Sequence, residues 1–125
     1  MCGIFAYYGP RENAGELVID GLKKLEYRGY DSWGIAYDQE NSLGLFKKVG
    51  KISDTNVNDL TLPKSNIAIS HSRWATHGGV TELNAHPHTN ANKTIAVVHN
   101  GIIENFQEIK DELIAKGYQF ISQTD

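Results

Sequence analysis

The sequence predicts an α+β domain in which helices cover the faces of β-sheets. Short apolar runs bounded by Gly, Pro and Asn recur along the chain, as strands do. Two longer segments instead space their apolar residues as amphipathic helices do. The predicted order is strand, helix, two strands, strand, strand, helix and strand. A length of 125 residues suits one domain, so we assign residues 1–125 to a single one.

The first half of the chain opens with a predicted strand and helix. Gly3–Tyr8 is apolar and aromatic and is followed by Gly9-Pro10, a pattern typical of a buried strand. Glu12–Tyr27 places its apolar residues on one face, which predicts an amphipathic helix. Trp33–Tyr37 and Leu43–Val49 are predicted as two strands joined by a turn.

The second half contains a long loop between two predicted strands. Ile67–His71 alternates as a strand does, and Thr94–His99 is an apolar strand of similar length. The residues between them, Trp74–Asn92, are rich in Gly, His, Asn and Thr and show no regular pattern. Loops of this length in a compact domain are usually functional.

A second helix is predicted after Asn100-Gly101. Asn105 and Glu108 have the spacing of a capping pair at its start. Gly117 is expected to end the helix. Tyr118–Ser122 would then begin another strand.

Composition excludes several classes of protein. The formal net charge of -3 gives no reason to expect a nucleic acid or an anionic membrane as partner. The longest apolar runs are far too short to span a bilayer, and the N-terminus lacks the pattern of a signal peptide. A single cysteine excludes an internal disulfide, so we expect a cytoplasmic protein.

Cys2 is the first candidate for chemistry. A lone cysteine is more often an inert, buried side chain than a nucleophile. Its position changes that assessment, because removal of Met1 would place the thiol and a free α-amino group on one residue. A free α-amine has a pKa of about 7.7–8.0 and can act as the general base that takes the thiol proton. The resulting thiolate would be the nucleophile.

Two further clusters carry candidates for binding and catalysis. Arg73 follows a predicted strand, and a guanidinium can bind a carboxylate through two parallel hydrogen bonds. The alternative is an exposed arginine beside a core tryptophan. Asn100 and Gly101 also follow a strand, where a side-chain amide and a backbone N–H can point at one oxygen, as in an oxyanion hole. The alternative there is an ordinary Asn-Gly turn.

The histidines raise a metal site as a further alternative. All five lie between His71 and His99, and the candidate zinc ligands are His71, His77, His86 and His88. No cysteine or glutamate stands among them at a usual spacing, so we expect no metal site. The glycine pairs are not followed by the Lys and Ser/Thr of a phosphate-binding loop, and no cofactor is predicted.

These motifs together resemble one family over the whole chain. They are Met1-Cys2-Gly3-Ile4, Leu25–Ser32, Arg73–Gly78, Asn84–His88, Val98–Asn105 and the tail Gly117–Asp125. They are similar to motifs of the glutaminase domains of glutamine–fructose-6-phosphate aminotransferases, the enzymes that make glucosamine 6-phosphate. Related amidotransferases of purine, asparagine and glutamate synthesis share the Cys start and the Asn-Gly pair but resemble the chain less elsewhere.

The resemblance implies a fold and a reaction. The fold would be that of the N-terminal-nucleophile hydrolases, a four-layer αββα sandwich of which this chain supplies the first half. Cys2 would be the nucleophile with its α-amine as base, and Asn100 and the N–H of Gly101 would form the oxyanion hole. The reaction would be glutamine hydrolysis, which supplies ammonia for glucosamine 6-phosphate synthesis from fructose 6-phosphate.

The resemblance also implies how glutamine is held. Arg73 would bind its α-carboxylate, and Asp125 would bind its α-amine. The residues expected to line the same pocket or to support the surroundings of the nucleophile are Trp74, Thr76, His77, Arg28 and His86.

The partners implied are glutamine and the sugar-phosphate isomerase domains of the full enzyme, which this chain lacks. The resemblance leaves open whether the protein forms a homodimer. Because the resemblance implies that the chain ends before the glutaminase domain is complete, we expect little activity from residues 1–125 alone. The alternative function is an inactive truncated module that acts as a binding or subunit-contact piece.

Trp33 stands where the family usually has a small residue, so the packing around this side chain is expected to differ.

Overall fold

Four antiparallel strands form the main sheet of the computed structural model, which describes residues 1–125. They are β1 (Gly3–Tyr8), β2 (Ser32–Gln39), β3 (Ser42–Val49) and β4 (Ile67–Arg73). Their order across the sheet is β1-β4-β2-β3. The sequence predicted all four, although β2, β3 and β4 extend beyond the predicted ends.

Helix α1 (Ala14–Lys23) covers one face of this sheet. Val18, Ile19 and Leu22 point from it into the core and are completely buried. Burying a side chain of this size stabilises a fold by about 1.5–3 kcal/mol. The helix is shorter than predicted, because a separate 3₁₀ turn at Glu26–Arg28 follows it.

Trp33 lies in the core beneath α1. It is 1% exposed and packs against Phe46, with 5.4 Å between the ring centroids. Its indole N–H has no hydrogen-bond partner. The large side chain at this position therefore contributes apolar volume to the core.

Strand β1 is not the buried strand that its composition predicted. It lies at the edge of the sheet and pairs with β4 alone. Ile4 is 38% exposed and Phe5 39% exposed. The prediction was wrong because apolar composition cannot distinguish a central strand from an edge strand.

The opposite face of the sheet is crossed by the segment that carries His86. Gly34 in β2 permits this approach, because a Cβ there would lie 2.3 Å from the carbonyl oxygen of His86. Beyond this point, β5 (His88–Thr89) pairs with β6 (Ala96–Val97) as a second, two-stranded sheet. Only two residues of the strand predicted over 94–99 are in a strand, and β5 lies inside the predicted loop.

Helix α2 (Phe106–Ala115) confirms the second predicted helix. It ends in a Schellman motif, with the N–H of Gly117 bonded to the carbonyl of Ile114 and that of Tyr118 to Leu113. The capping pair was wrong, because the side chain of Asn105 makes no capping hydrogen bond.

The strand predicted over 118–122 was also wrong, because this stretch pairs with no strand. None of the helices is both long and apolar enough to cross a membrane.

Candidate active site

One cavity of about 740 Å³ brings together every residue that was predicted to act in catalysis, glutamine binding or support of the nucleophile. The predicted residues on its wall are Cys2, Arg28, Arg73, Trp74, Thr76, His77, His86, Asn100, Gly101 and Asp125. Six further residues, which were not predicted for this pocket, line the same wall, and they are Met1, His71, His99, Ile102, Phe106 and Thr124. Residues up to 124 positions apart therefore share one site.

Cys2 precedes β1 and meets the end of β4 across the sheet. Its sulfur lies 3.4 Å from the backbone nitrogen of Trp74, which donates to it, and 3.9 Å from the carbonyl oxygen of Trp74. The thiol is half-buried. The backbone of Trp74 therefore fixes the position of the sulfur at one end of the cavity.

Asp31 holds the backbone next to Trp74. One of its carboxylate oxygens accepts a hydrogen bond from the N–H of Ala75, and the other accepts from the hydroxyl of Ser32 at 2.8 Å. Its own N–H donates to the carbonyl of Arg73 at 3.2 Å. The turn that precedes β2 is thus tied to the chain leaving β4. Sequence reasoning missed Asp31, because nothing in the pattern places it near residue 75.

Asn100 and Gly101 meet Cys2 from the other side. The side-chain Nδ2 of Asn100 donates to the backbone carbonyl of Cys2 at 2.9 Å. Gly101 has a φ of +156°, and a Cβ there would lie 2.9 Å from Nε2 of His99. Backbone geometry and the neighbouring ring therefore favour glycine at this position.

Arg73 is buried at the end of β4, with 4% of its surface exposed. Its guanidinium donates to the carbonyl of Gly79 at 2.8 Å and to that of His77. Each terminal nitrogen of a guanidinium carries two hydrogens, so donors remain for a further acceptor. Arg73 both shapes the loop that follows it and presents its charge to the cavity.

Asp125 lines the cavity from the final segment of the chain. Its carboxylate accepts a hydrogen bond from the N–H of Ile103 at 2.6 Å. The neighbouring Thr124 is buried, and its hydroxyl lies 3.0 Å from Nε2 of His88. These bonds place a carboxylate beside the Asn100–Gly101 turn.

The other lining residues are held by aromatic contacts. The ring of His77 meets that of Phe106 edge to face at 5.4 Å. The guanidinium of Arg28 lies 5.4 Å from the ring of Tyr27 and donates to its hydroxyl at 3.2 Å. Thr76 is exposed at the cavity wall.

Three histidine rings pack together where the sheet meets the segment that crosses it, with His71 stacked on His86 and His88 edge to face with His86. The His71 and His86 rings are 4.4 Å apart, and those of His86 and His88 are 4.5 Å apart. Burial lowers the pKa of His71 to about 4, that of His86 to about 3 and that of His88 to about 4. Repulsion between neighbouring imidazoles and from Lys47 and Arg73 lowers the pKa of His86 further.

These rings are therefore neutral at pH 7. Nδ1 of His86 accepts a hydrogen bond from the N–H of His99 at 3.4 Å, so its ring proton lies on Nε2. Neither ring nitrogen of His71 has a hydrogen-bond partner. The structure contains no group of three or more potential ligands that could hold a metal ion.

Comparison with known families identifies the family to which the chain belongs. The glutamine amidotransferase domain family matches residues 53–125, which is more than half of the chain. The chain belongs to this family. The matched range contains Arg73, Asn100 and Asp125, whereas Cys2 lies before it.

Curated relatives of this amidotransferase chain extend the likeness to the whole sequence. It is 51% identical to glutamine–fructose-6-phosphate aminotransferase (isomerizing) of Corynebacterium glutamicum, covering 100% of this chain and 21% of that protein. It is 54% identical to the enzyme of the same name from Pyrococcus horikoshii, again covering 100% and 21%. The chain therefore spans about a fifth of the length of the curated relatives it matches.

Solved structures show that the amidotransferase fold is shared. Glutamine phosphoribosylpyrophosphate amidotransferase from B. subtilis, complexed with ADP and GMP, matches with a TM-score of 0.80 and 29% identity. That match covers 100% of this chain and 27% of the other. A structure of the allosteric regulatory enzyme of purine biosynthesis matches with a TM-score of 0.81 and 28% identity over 98% and 27% of the two chains. The predicted α+β fold of N-terminal-nucleophile amidotransferases is confirmed, with the layers described here forming part of the sandwich.

Proposed function

We propose that this chain forms part of a glutaminase domain that hydrolyses glutamine at Cys2 and supplies ammonia for the synthesis of glucosamine 6-phosphate from fructose 6-phosphate. One observation carries the proposal. The only cysteine of the chain lines the same cavity as Arg73, Asn100 and Asp125. A zwitterionic amino acid with a side-chain amide requires a cation, an anion and an oxyanion site around a nucleophile, and this cavity contains each.

The nucleophile requires a base, which the α-amine of Cys2 would provide. In the full sequence the nitrogen of Cys2 is in a peptide bond with Met1, and Met1 lies on the cavity wall. Removal of Met1 would free an amine within the same residue as the thiol. That amine would take the thiol proton and leave a thiolate beside the N–H of Trp74.

The reaction then proceeds in two steps. The thiolate attacks the side-chain amide carbon of glutamine, and the carbonyl oxygen becomes an oxyanion held by Asn100 and the N–H of Gly101. Collapse breaks the C–N bond, the protonated amine returns its proton to the leaving nitrogen, and ammonia departs from a thioester. Water then attacks the thioester, releasing glutamate and restoring the thiol. Asn100 has a second amide hydrogen for the oxyanion, since one is bonded to the carbonyl of Cys2.

Recognition of the substrate follows from the two charged groups on the wall. Arg73 would hold the α-carboxylate and Asp125 the α-amine, with Trp74, Thr76 and His77 lining the pocket. Arg28 and His86 would support the surroundings of Cys2. The hydrogen bond that the neutral ring of His86 accepts from the N–H of His99, next to Asn100, supports this part of the proposal.

The place of the chain in a larger protein is part of the proposal. The chain covers about a fifth of relatives whose name includes isomerizing activity. We assign residues 1–125 to the N-terminal portion of the glutaminase domain, with sugar-phosphate isomerase domains as its partners.

Covalent labelling tests the proposal directly. The purified protein would be treated with an electrophilic diazoketone analogue of glutamine and analysed by peptide mass spectrometry. We expect an N-terminus that begins at Cys2 and a single adduct on that residue. An excess of glutamine should compete with the analogue and prevent formation of the adduct. Full glutaminase activity with Met1 retained, or an adduct on another residue, would contradict the proposal.

A further inference from the structure

Asn84 is almost completely buried beside the cavity, and its side-chain amide makes three hydrogen bonds. It is 2% exposed. Its Nδ2 donates to the carbonyl of Gly79 at 3.0 Å and to Oε1 of Gln123 at 3.1 Å. Its Oδ1 accepts from the backbone N–H of Gln123 at 2.8 Å. None of these three residues lines the cavity itself.

The chemistry of the partners fixes the orientation of this amide. A backbone N–H can only donate and a carbonyl can only accept, so the oxygen of Asn84 must face Gln123 N–H and its nitrogen must face Gly79. Oε1 of Gln123 likewise receives two donors, Nδ2 of Asn84 and the N–H of Gly79 at 3.3 Å. The three residues therefore form one directional network.

This network reaches Arg73 on one side. The carbonyl of Gly79 accepts from the guanidinium of Arg73 at 2.8 Å as well as from Asn84. Gly79 is thus held by Arg73, Asn84 and Gln123 together. Displacement of Gly79 would remove one of the two backbone oxygens that orient the guanidinium.

On the other side the network reaches Asp125. Gln123 lies two residues before it, and both bonds between Asn84 and Gln123 restrain this segment. The carboxylate of Asp125 is in turn bonded to the N–H of Ile103. Asn84 therefore connects the segment that carries the Asp125 carboxylate to the loop that orients the Arg73 guanidinium.

We propose that Asn84, with Gln123, is a positioning residue that fixes the spacing between Arg73 and Asp125 and so makes the pocket selective for an α-amino acid. This inference rests on the proposed function. A ligand held by both an ammonium and a carboxylate requires the two receptors at a set distance, and displacement by about 1 Å can cost 100-fold in rate.

Two variants separate the hydrogen bonds from the shape of the side chains. Asn84→Asp keeps the size but replaces the donor with an oxygen that faces two acceptors, the carbonyl of Gly79 and Oε1 of Gln123. Asn41→Asp is the matched control, since it makes the same replacement at an exposed asparagine in the turn between β2 and β3, which does not line the cavity.

Kinetics of the complete glutaminase domain supply the main test. Loss of the buried donor should raise the KM of Asn84→Asp for glutamine by roughly 10-fold or more. Its preference for glutamine over glutaramic acid, which lacks the α-amine, should fall by a similar factor. Asn41→Asp should resemble the parent domain. Alkylation of Cys2 by iodoacetamide, which lacks both charged groups, should proceed at the parent rate in both variants.

The inference is overturned if Asn84→Asp keeps the parent KM and selectivity, if its alkylation rate falls in proportion, or if Asn41→Asp is equally impaired. Hydrogen exchange of the ligand-free proteins gives a readout that does not depend on turnover. Faster exchange at the amides of Gly79 and Gln123 in Asn84→Asp alone supports the network, and unchanged exchange overturns it. A complete parent domain without Cys2-dependent hydrolysis would instead overturn the proposed function.

Discussion

The backbone N–H of Trp74 points at the sulfur of Cys2 from 3.4 Å. These residues are 72 positions apart, and the antiparallel pairing of β1 with β4 brings them together. An N–H in this position can stabilise a thiolate. The relationship explains why a cysteine at the start of the chain meets the loop that follows β4.

In the complete glutaminase domain, replacement of Cys2 should abolish glutamine hydrolysis. The chain has no other cysteine, so no second thiol can substitute. Cys2→Ala removes the nucleophile, and Cys2→Ser should be nearly as inactive because the hydroxyl is far less acidic than a thiol. Glutamate release and circular dichroism would be measured together. More than trace activity in a folded Cys2→Ala protein would exclude Cys2 as the nucleophile.

Asn100→Ala should lower kcat for glutamine by roughly 10²–10³-fold, with a smaller effect on KM, because one oxyanion donor is lost. Steady-state kinetics would measure both constants. Asn41→Ala is the control, since Asn41 is an exposed residue in the turn between β2 and β3. An unchanged kcat would show that Asn100 acts only as a turn residue.

Arg73→Lys should raise KM for glutamine by roughly 10–100-fold, because an ammonium cannot replace the two-point contact of a guanidinium. A lysine would also lose one of the two bonds to the carbonyls of His77 and Gly79. The exposed Arg11→Lys serves as the matched control. If the two variants have equal KM values, Arg73 does not bind the carboxylate.

Asp31→Ala should lower glutamine turnover by roughly 10-fold, since the N–H of Ala75 loses a charged acceptor and the backbone around Trp74 loosens. Asp38→Ala, on the exposed end of β2, should leave turnover unchanged. Comparison of kcat between these two variants checks the expectation. Parent-like kcat in Asp31→Ala would mean that the main sheet alone positions Trp74.

Acid should destabilise the fold through its stacked histidines. Burial lowers the pKa of His71 to about 4 and that of His86 to about 3 from an ordinary value of 6.5. Between the lowered pKa values and 6.5, the histidines of the unfolded chain bind protons that those of the folded chain do not. The free energy of unfolding therefore falls as the pH falls below 6.5. The loss is at most about 1.4 kcal/mol per pH unit for each histidine.

Urea unfolding at pH 7 and pH 5 would measure this loss. His71→Phe keeps an aromatic ring against His86 but cannot be protonated, so its stability should depend less on pH. An equal dependence in the variant and the parent would show that other groups control acid stability.

The sequence alone located the four strands of the main sheet, the two helices and the candidate catalytic residues. Strand and helix periodicity is local, and it located β1 to β4, α1 and α2. The Cys2 start and the Asn100-Gly101 pair are likewise local motifs, so their chemistry could be inferred before any fold was known. The end of α2 at Gly117 was predictable for the same reason, because capping depends on neighbouring residues.

Only the tertiary structure decided what these residues touch. The exposure of β1 depends on which strands pair beside it, and the absence of a strand after α2 depends on the lack of a pairing partner. The contacts of Asp31 with Ala75 and of Asn84 with Gln123 join residues 44 and 39 positions apart. Hydrogen bonds of this kind depend on the path of the whole chain, which no local pattern specifies.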